Sequence, residues 1–239
     1  MKLLLYILLA PLPSIIWLAF YLRKDKHPEP NKLVVKIFLL GAIAIAFAAL
    51  LEQGIYVLFK KISLMQELIV LVVSFAFIEE WLKYIVVKFG ILKNPNFDEP
   101  VDSMIYMIIS ALGFAAAENI YLLSQISPLK IPISETIEFI TMRFVGATFL
   151  HALASAILGY FLAISLCKAS KFRKTLIFNG LAIATILHSI FNYIIILNIN
   201  GQIETYHRNG LVFVLLITNA IIVSIMFKKI NKLKPVCKI

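Results

Sequence analysis

Seven long apolar segments constrain this chain more than any other feature of its sequence. Of its 239 residues, 61% are hydrophobic and the mean hydropathy is +0.93, which exceeds what a soluble domain of this size can bury in one core. A helix of about 20 residues crosses the ~30 Å hydrocarbon layer of a bilayer, where an open sheet could not satisfy its backbone. We therefore predict an all-α bundle of seven transmembrane helices over residues 3–21, 37–58, 68–87, 101–123, 140–166, 176–197 and 211–227.

The net charge of +10 comes from Lys and Arg residues that cluster in alternate connections between these segments. They are concentrated at 23–32, 88–93, 168–174 and 228–238, whereas the other connections carry few. This asymmetry is typical of the positive-inside rule rather than of a nucleic-acid-binding surface. We predict a multi-pass protein of the cell membrane with its N-terminus outside and its C-terminus in the cytoplasm, and we expect no nucleic-acid partner.

The chain shows no internal repeat and no soluble appendage, so we predict one integral membrane domain over residues 1–239. Its two cysteines, Cys167 and Cys237, fall on the predicted cytoplasmic side, where disulfides are rare. We therefore expect neither a disulfide framework nor a cysteine-based metal site.

Three ionisable residues interrupt the apolar segment 68–87. Glu79, Glu80 and Lys83 lie near its middle, where each charge costs a few kcal/mol unless protein or water surrounds it. Glu79 and Lys83 share a helix face at i+4, and Glu80 reaches Lys83 at i+3. An isolated Glu/Lys pair could be a structural salt bridge. Two carboxylates facing one lysine leave a negative charge in excess, so either one is protonated or another cation is near.

Other segments carry ionisable residues at a similar depth. With a rise of ~1.5 Å per residue, Glu79, Glu118, His151 and His188 all lie about 8 to 16 Å below the predicted outer boundary. Their convergence from separate helices predicts a buried site, with a catalytic core of four helices over residues 68–197.

Further polar residues accompany this set. Glu118 follows a small-residue stretch after Phe114, which would let another helix approach closely, and Arg143 lies near the start of the fifth segment. A lone intramembrane histidine such as His151 is often only an interhelical hydrogen-bond partner. His188 and Asn192 are four residues apart, a spacing that aims two neutral donors at one point, as stabilisation of an oxyanion requires.

Two chemistries fit these residues. In the first, a glutamate acts as general base on a water while His188 and Asn192 donate to the oxyanion of a peptide carbonyl. In the second, His151, His188 and one or two glutamates bind a zinc ion that activates the water. Because the chain lacks a His-Glu-x-x-His motif, we favour the first chemistry and expect no metal or other cofactor, with zinc as the alternative.

The polar motifs occur in a recognisable order. They are Glu79-Glu80-x-x-Lys83, Asp98-Glu-Pro-x-Asp102, Phe114-x-x-x-Glu118, His151 and His188-x-x-x-Asn192. Over residues 70–195 this set resembles the PrsW-type intramembrane proteases, within the superfamily of CAAX-processing and bacteriocin-processing membrane proteases. At the position of Glu118, the CAAX-type branch typically has a histidine. PrsW-like members have a glutamate there, as this chain does.

The resemblance implies a glutamate-dependent endopeptidase. Glu79 would be the water-activating base, Glu80 would support it through Lys83, and His188 and Asn192 would form the oxyanion side. The substrate would be a single-pass membrane protein such as an anti-sigma factor, cut near the extracytoplasmic side. The catalytic set would then be Glu79, Glu80, Glu118, His151, His188 and Asn192, with Lys83, Phe114 and Arg143 in support.

Two other classes of function stay open at this point. Intramembrane glutamates and histidines can also form the proton or cation relay of a transporter or channel, although the chain has no inverted repeat. A non-catalytic membrane protein of the same superfamily is the other alternative. The sequence leaves the oligomeric state open.

Overall fold

Every regular element that the structure describes is a helix, as the apolar segments predict. The computed structural model describes residues 8–24, 27–61, 68–126 and 140–233. The beginning of the first predicted span, residues 3–7, lies outside these ranges. The main helices are α1 (Leu12–Leu22), α2 (Asn31–Lys61), α3 (Leu68–Gly90), α4 (Pro100–Ile126), α5 (Ala147–Ser165), α6 (Ser170–Ile199) and α7 (Thr205–Ile230).

Five of the described helices are long and apolar enough to cross a membrane. They are α2, α4, α6, α7 and the helical stretch Ile140–Ser165, which contains α5. Helix α3 has 23 residues, about 34 Å at the helical rise, but Glu79, Glu80 and Lys83 lower its apolar character. The described part of α1 has only 11 residues. The number of spans and the orientation of the termini stay predictions.

Helix α4 lies at the centre of the bundle, and α2 lies at its periphery. The apolar part of α4 is buried along nearly its whole length, whereas most of α2 is exposed. The exposed side chains of α2 include Leu39, Ile43, Phe47 and Leu50. A continuous apolar surface of this kind is stable against lipid and not against water. The chain is therefore a multi-pass integral membrane protein.

Glycines bring the helices around α4 into backbone contact. A Cβ atom on Gly41 of α2 would collide with the backbone of Ser110, and one on Gly113 of α4 would collide with the backbone of Phe38. Close approach of backbones through small residues is a common way for helices to pack in membranes. These contacts fix the position of α4, and hence of Glu118, relative to α2.

The acidic motif at the start of α4 has a structural role. Asp102 Oδ2 accepts hydrogen bonds from the backbone N–H groups of Asp98, at 3.0 Å, and Glu99, at 2.8 Å. Helix α4 begins at Pro100, whose missing N–H costs nothing in the first turn. Asp102 therefore caps the loop that leads into α4 and lies apart from the polar cluster described below.

The expectation for the cysteines is wrong for Cys167, which is disulfide-bonded. The redox compartment governs whether a disulfide persists, but the fold decides whether two sulfurs can meet. The position of a cysteine in the sequence indicates only the first of these conditions.

Candidate functional site

Lys83 is at the centre of a buried polar cluster on α3. Its Nζ atom donates to Glu80 Oε1 at 2.7 Å and to His151 Nδ1 at 2.8 Å, and it lies 3.4 Å from Glu79 Oε2. It also lies 4.6 Å from the centre of the Phe114 ring, within range of a cation–π contact. The side chains of Lys83 and Glu80 are fully buried. The ammonium group therefore joins α3, α4 and α5 at one point.

Glu80 connects this cluster to α6. Its Oε1 atom lies 2.9 Å from His188 Nδ1, and its Oε2 atom accepts a hydrogen bond from Ser155 Oγ at 3.0 Å. Because a carboxylate paired with Lys83 only accepts hydrogen bonds, Nδ1 of His188 carries a proton. In the neutral ring, Nε2 of His188 then has a free lone pair.

Glu118 and His151 form a hydrogen-bonded pair like that of Glu80 and His188. Glu118 Oε2 lies 3.0 Å from His151 Nε2 and accepts a hydrogen bond from Arg143 Nη2 at 2.6 Å. Arg143 Nε donates to the side chain of Asn119, which in turn donates to Thr148 Oγ1 at 3.2 Å. Because Nε2 of His151 donates to Glu118 and Nδ1 accepts from Lys83, the lone pair of His151 is on Nδ1.

Both histidine lone pairs lie close to Glu79. Glu79 Oε2 is 3.9 Å from His151 Nδ1 and 3.9 Å from His188 Nε2, and the two imidazole rings meet edge to face at 4.9 Å. Glu79 is 13% exposed, whereas both histidines are almost fully buried. These three side chains thus present two lone pairs and a carboxylate to one point.

This point has the donor set of a metal site. One ligand atom from each of Glu79, His151 and His188 lies within 4.8 Å of the other two. Zinc–ligand bonds of about 2.0 to 2.2 Å put tetrahedral ligands roughly 3.3 Å apart, so a small inward movement would suffice. A metal on His151 Nδ1 would replace the hydrogen bond from Lys83. The residues therefore fit a divalent metal.

Two further features support that fit. Each histidine donates its other ring N–H to a carboxylate, His188 to Glu80 and His151 to Glu118, which is the usual arrangement around metal-bound histidines. The cluster also carries excess negative charge, since the three carboxylates of Glu79, Glu80 and Glu118 face only two cations, Lys83 and Arg143. The excess that the sequence predicted at Glu79 and Glu80 thus persists in the folded cluster.

A cavity of about 300 Å³ opens from this cluster. Its lining includes Glu79, Glu118, His151 and His188 of the cluster, together with Asn192. The side chain of Asn192 makes no hydrogen bond to any residue that the structure describes, so its amide is available to a molecule in the cavity. Arg208 and Asn209 of α7 line the cavity as well.

A second cavity, of about 630 Å³, lies between α2, α3 and α4. Glu79 and Glu118 line it as well, together with Glu52 of α2. Glu52 is close enough to both to interact electrostatically with them. It was missed in the sequence analysis, although it lies within a predicted span and an ionisable residue in such a span is a signal of function.

The structure brings together most of the residues that the sequence singled out. A single network of hydrogen bonds and ion pairs joins Glu79, Glu80, Lys83, Glu118, Arg143, His151 and His188, and Phe114 contacts it through its ring. Asn192 lines the cavity beside this network without a bond to it. The chemical roles assigned to these residues stay predictions.

A cluster of carboxylates and histidines lines a cavity inside an apolar helical bundle, which is the arrangement expected of a functional site in a membrane protein. The family model that matches residues 29–225 is described as the PrsW family of intramembrane metalloproteases. The chain belongs to this family, and it is a membrane protease.

Several similar proteins carry the name Protease PrsW. The one from Oceanobacillus iheyensis is 31% identical over 183 residues, which cover 77% of this chain and 79% of that protein. Those from Bacillus subtilis and Clostridioides difficile are 29% and 28% identical, over 77% and 80% of this chain and 79% of each relative. No solved structure gives a significant match.

Proposed function

We propose that this protein is an endopeptidase of the cell membrane that cleaves a single-pass membrane protein, such as an anti-sigma factor, near the extracytoplasmic side. The observation that carries the proposal is the meeting of Glu79, His151 and His188 at the end of the 300 Å³ cavity. A peptide carbonyl in the cavity would be next to a carboxylate, two imidazole lone pairs and the unbonded amide of Asn192. These groups are what hydrolysis of an amide needs.

Of the two chemistries that the sequence left open, the geometry favours the metal-dependent one. Glu79, His151 and His188 would hold the ion, while Glu80 and Glu118 orient the two histidines. A zinc ion bound there would supply a nucleophilic water at neutral pH and would polarise the scissile carbonyl. This proposal replaces the initial expectation of a site without metal.

Residues of the chain would carry the remaining parts of the reaction. Glu118 lines the cavity and is the carboxylate available to accept the proton of the attacking water when Glu79 serves as a ligand. If no metal binds, Glu79 itself is the base. The Asn192 amide and the Arg143 guanidinium, both in the cavity lining, would donate to the oxyanion. The hydrogen bond of His188 to Glu80 occupies its N–H, so His188 suits a ligand better than the oxyanion donor predicted from its spacing.

The test is cleavage of a single-pass reporter by purified protein in nanodiscs, with metal content measured on the same samples. Glu79→Gln and His188→Asn should each lower the rate of cleavage by about 10² to 10⁴-fold and lose the metal. The matched controls are Glu204→Gln and His207→Asn, because both of these side chains are largely exposed and lie outside the cavity lining.

Several outcomes would contradict the proposal. Full activity of Glu79→Gln would show that the site is elsewhere. Turnover that survives complete removal of metal by a chelator would restore the metal-free mechanism. Ion flux that depends on Glu79, without cleavage of any reporter, would favour a transporter.

A further inference from the structure

Arg208 lies in the first turn of α7 and lines the same cavity as His151 and His188. Three of its N–H groups are bound within the protein. Nη1 donates to Asn198 Oδ1 at 2.9 Å, and Nε and Nη2 donate to Asn209 Oδ1 at 3.1 and 2.8 Å. Because both acceptors are neutral amides, they orient the guanidinium without neutralising its charge.

Arg208 has N–H groups that are not used for hydrogen bonds within the described part of the protein. A guanidinium has five N–H groups, so the three bonds to Asn198 and Asn209 leave one N–H on Nη1 and one on Nη2. N–H groups on the two Nη atoms of one guanidinium are donors that a carboxylate can bind with both of its oxygens.

The two arginines of the cavity differ in their charge compensation. Arg143 forms an ion pair with Glu118 at 2.6 Å. Arg208 forms no ion pair with any carboxylate in the part of the chain that the structure describes. A positive charge that no carboxylate compensates attracts an anionic ligand to the cavity that it lines.

We propose that Arg208 binds the side-chain carboxylate of an Asp or Glu in the substrate, within a few residues of the scissile bond. The protease then selects substrates that carry an acidic residue at that position. This inference rests on the proposed function, since it takes the cavity as the place where the substrate segment binds. An anionic lipid headgroup has the same chemistry, but Arg208 lines the cavity that holds Glu79 and Asn192. The substrate is therefore the ligand to which the proposal commits.

The experiment uses synthetic single-span peptides with a glutamate placed at successive positions around the scissile bond, each with a glutamine and a lysine counterpart. The value of kcat/KM is measured in phosphatidylcholine nanodiscs for the wild type, Arg208→Gln and Arg208→Glu. Lys61→Gln is the control, because Lys61 is an exposed cation at the end of α2 outside the cavity lining.

At one position the wild type should cleave the glutamate peptide about tenfold to a hundredfold faster than the glutamine peptide. Arg208→Gln should cleave the two peptides at equal rates, and Arg208→Glu should prefer a lysine at that position. Lys61→Gln should keep the preference of the wild type.

The outcomes separate this inference from the proposed function. Cleavage with equal rates for both peptides at every position would overturn the role of Arg208 and leave the protease function intact. If no peptide is cleaved, binding of fluorescent peptides to the wild type and to Arg208→Gln decides. A preference of the wild type for glutamate that is lost in Arg208→Gln would uphold the inference while the protease function fails, and equal or absent binding would overturn it.

Two further results would also overturn the inference. The first is an effect of Arg208→Gln that appears only with phosphatidylglycerol in the nanodisc and is equal for both peptides, which would make Arg208 a lipid anchor. The second is an equal loss for both peptides together with a lower unfolding temperature, which would make its role structural.

Discussion

Replacing Lys83 by methionine removes the ammonium group at the centre of the buried cluster while it keeps most of the side-chain volume. Glu80 is fully buried and has its closest contact, at 2.7 Å, with this ammonium group. Without the ammonium group, the buried carboxylate would lose this charged partner. Removing one partner of a buried ion pair typically costs about 3 to 5 kcal/mol, so Lys83→Met should lower the free energy of unfolding by about that amount.

A double variant tests the reason for that loss. Glu80→Gln removes the second charge and retains an amide oxygen that can accept from His188 or Ser155. The double variant Glu80→Gln/Lys83→Met should therefore be more stable than Lys83→Met alone. The expected coupling energy between the two substitutions is about 1 to 3 kcal/mol.

The assay is chemical unfolding of the four proteins in mixed detergent micelles, followed by tryptophan fluorescence. The wild type and the Glu80→Gln single variant complete the cycle. If Lys83→Met costs less than about 1 kcal/mol, the two charges are not buried together as described. If the two single losses simply add in the double variant, the ion pair is not the source of the destabilisation.

Other predictions concern packing, capping and the second cavity. Gly113→Leu should lower stability by about 1 to 3 kcal/mol or more because the backbone of α2 blocks the new side chain, whereas Gly54→Leu should have little effect, since nothing lies within 4 Å of a Cβ there; thermal unfolding compares the two. Asp102→Ala should cost about 0.5 to 2 kcal/mol, because it removes the acceptor of two backbone N–H groups, and should leave the metal content unchanged, with the exposed Asp98→Ala as control. Glu52→Gln should weaken metal binding, measured by competition with a chelator, because it removes a negative charge near Glu79; equal affinity would contradict the electrostatic link.

The sequence was informative where a single segment carries the signal. The apolar segments predict the helices because the cost of exposing backbone in lipid depends on the local run of residues. Glu79, Glu80 and Lys83 could be singled out because their cost in such a run is high whatever surrounds them. The common face of Glu79 and Lys83, and the reach of Glu80 to Lys83, follow from the helical repeat alone.

The position of Arg208 in the cavity lining could not be predicted in this way. The last predicted span begins at residue 211, so Arg208 was counted among the connections, whereas α7 begins at Thr205 and places Arg208 in the cavity lining. Helix ends depend on capping and packing more than on apolar character. Glu52 could have been identified from the sequence, because it is, like Glu79, an ionisable residue within an apolar segment.

The sequence by itself determined that the chain is helical and membrane-embedded, and that its intramembrane carboxylates and histidines need partners. Only the tertiary structure decided which partners they have: Glu80 with His188, and Glu118 with His151 and Arg143. These pairs depend on which helices are neighbours and how each is rotated about its axis. Packing of the whole bundle sets both, through close contacts such as those of Gly41 and Gly113, and no single segment contains that information.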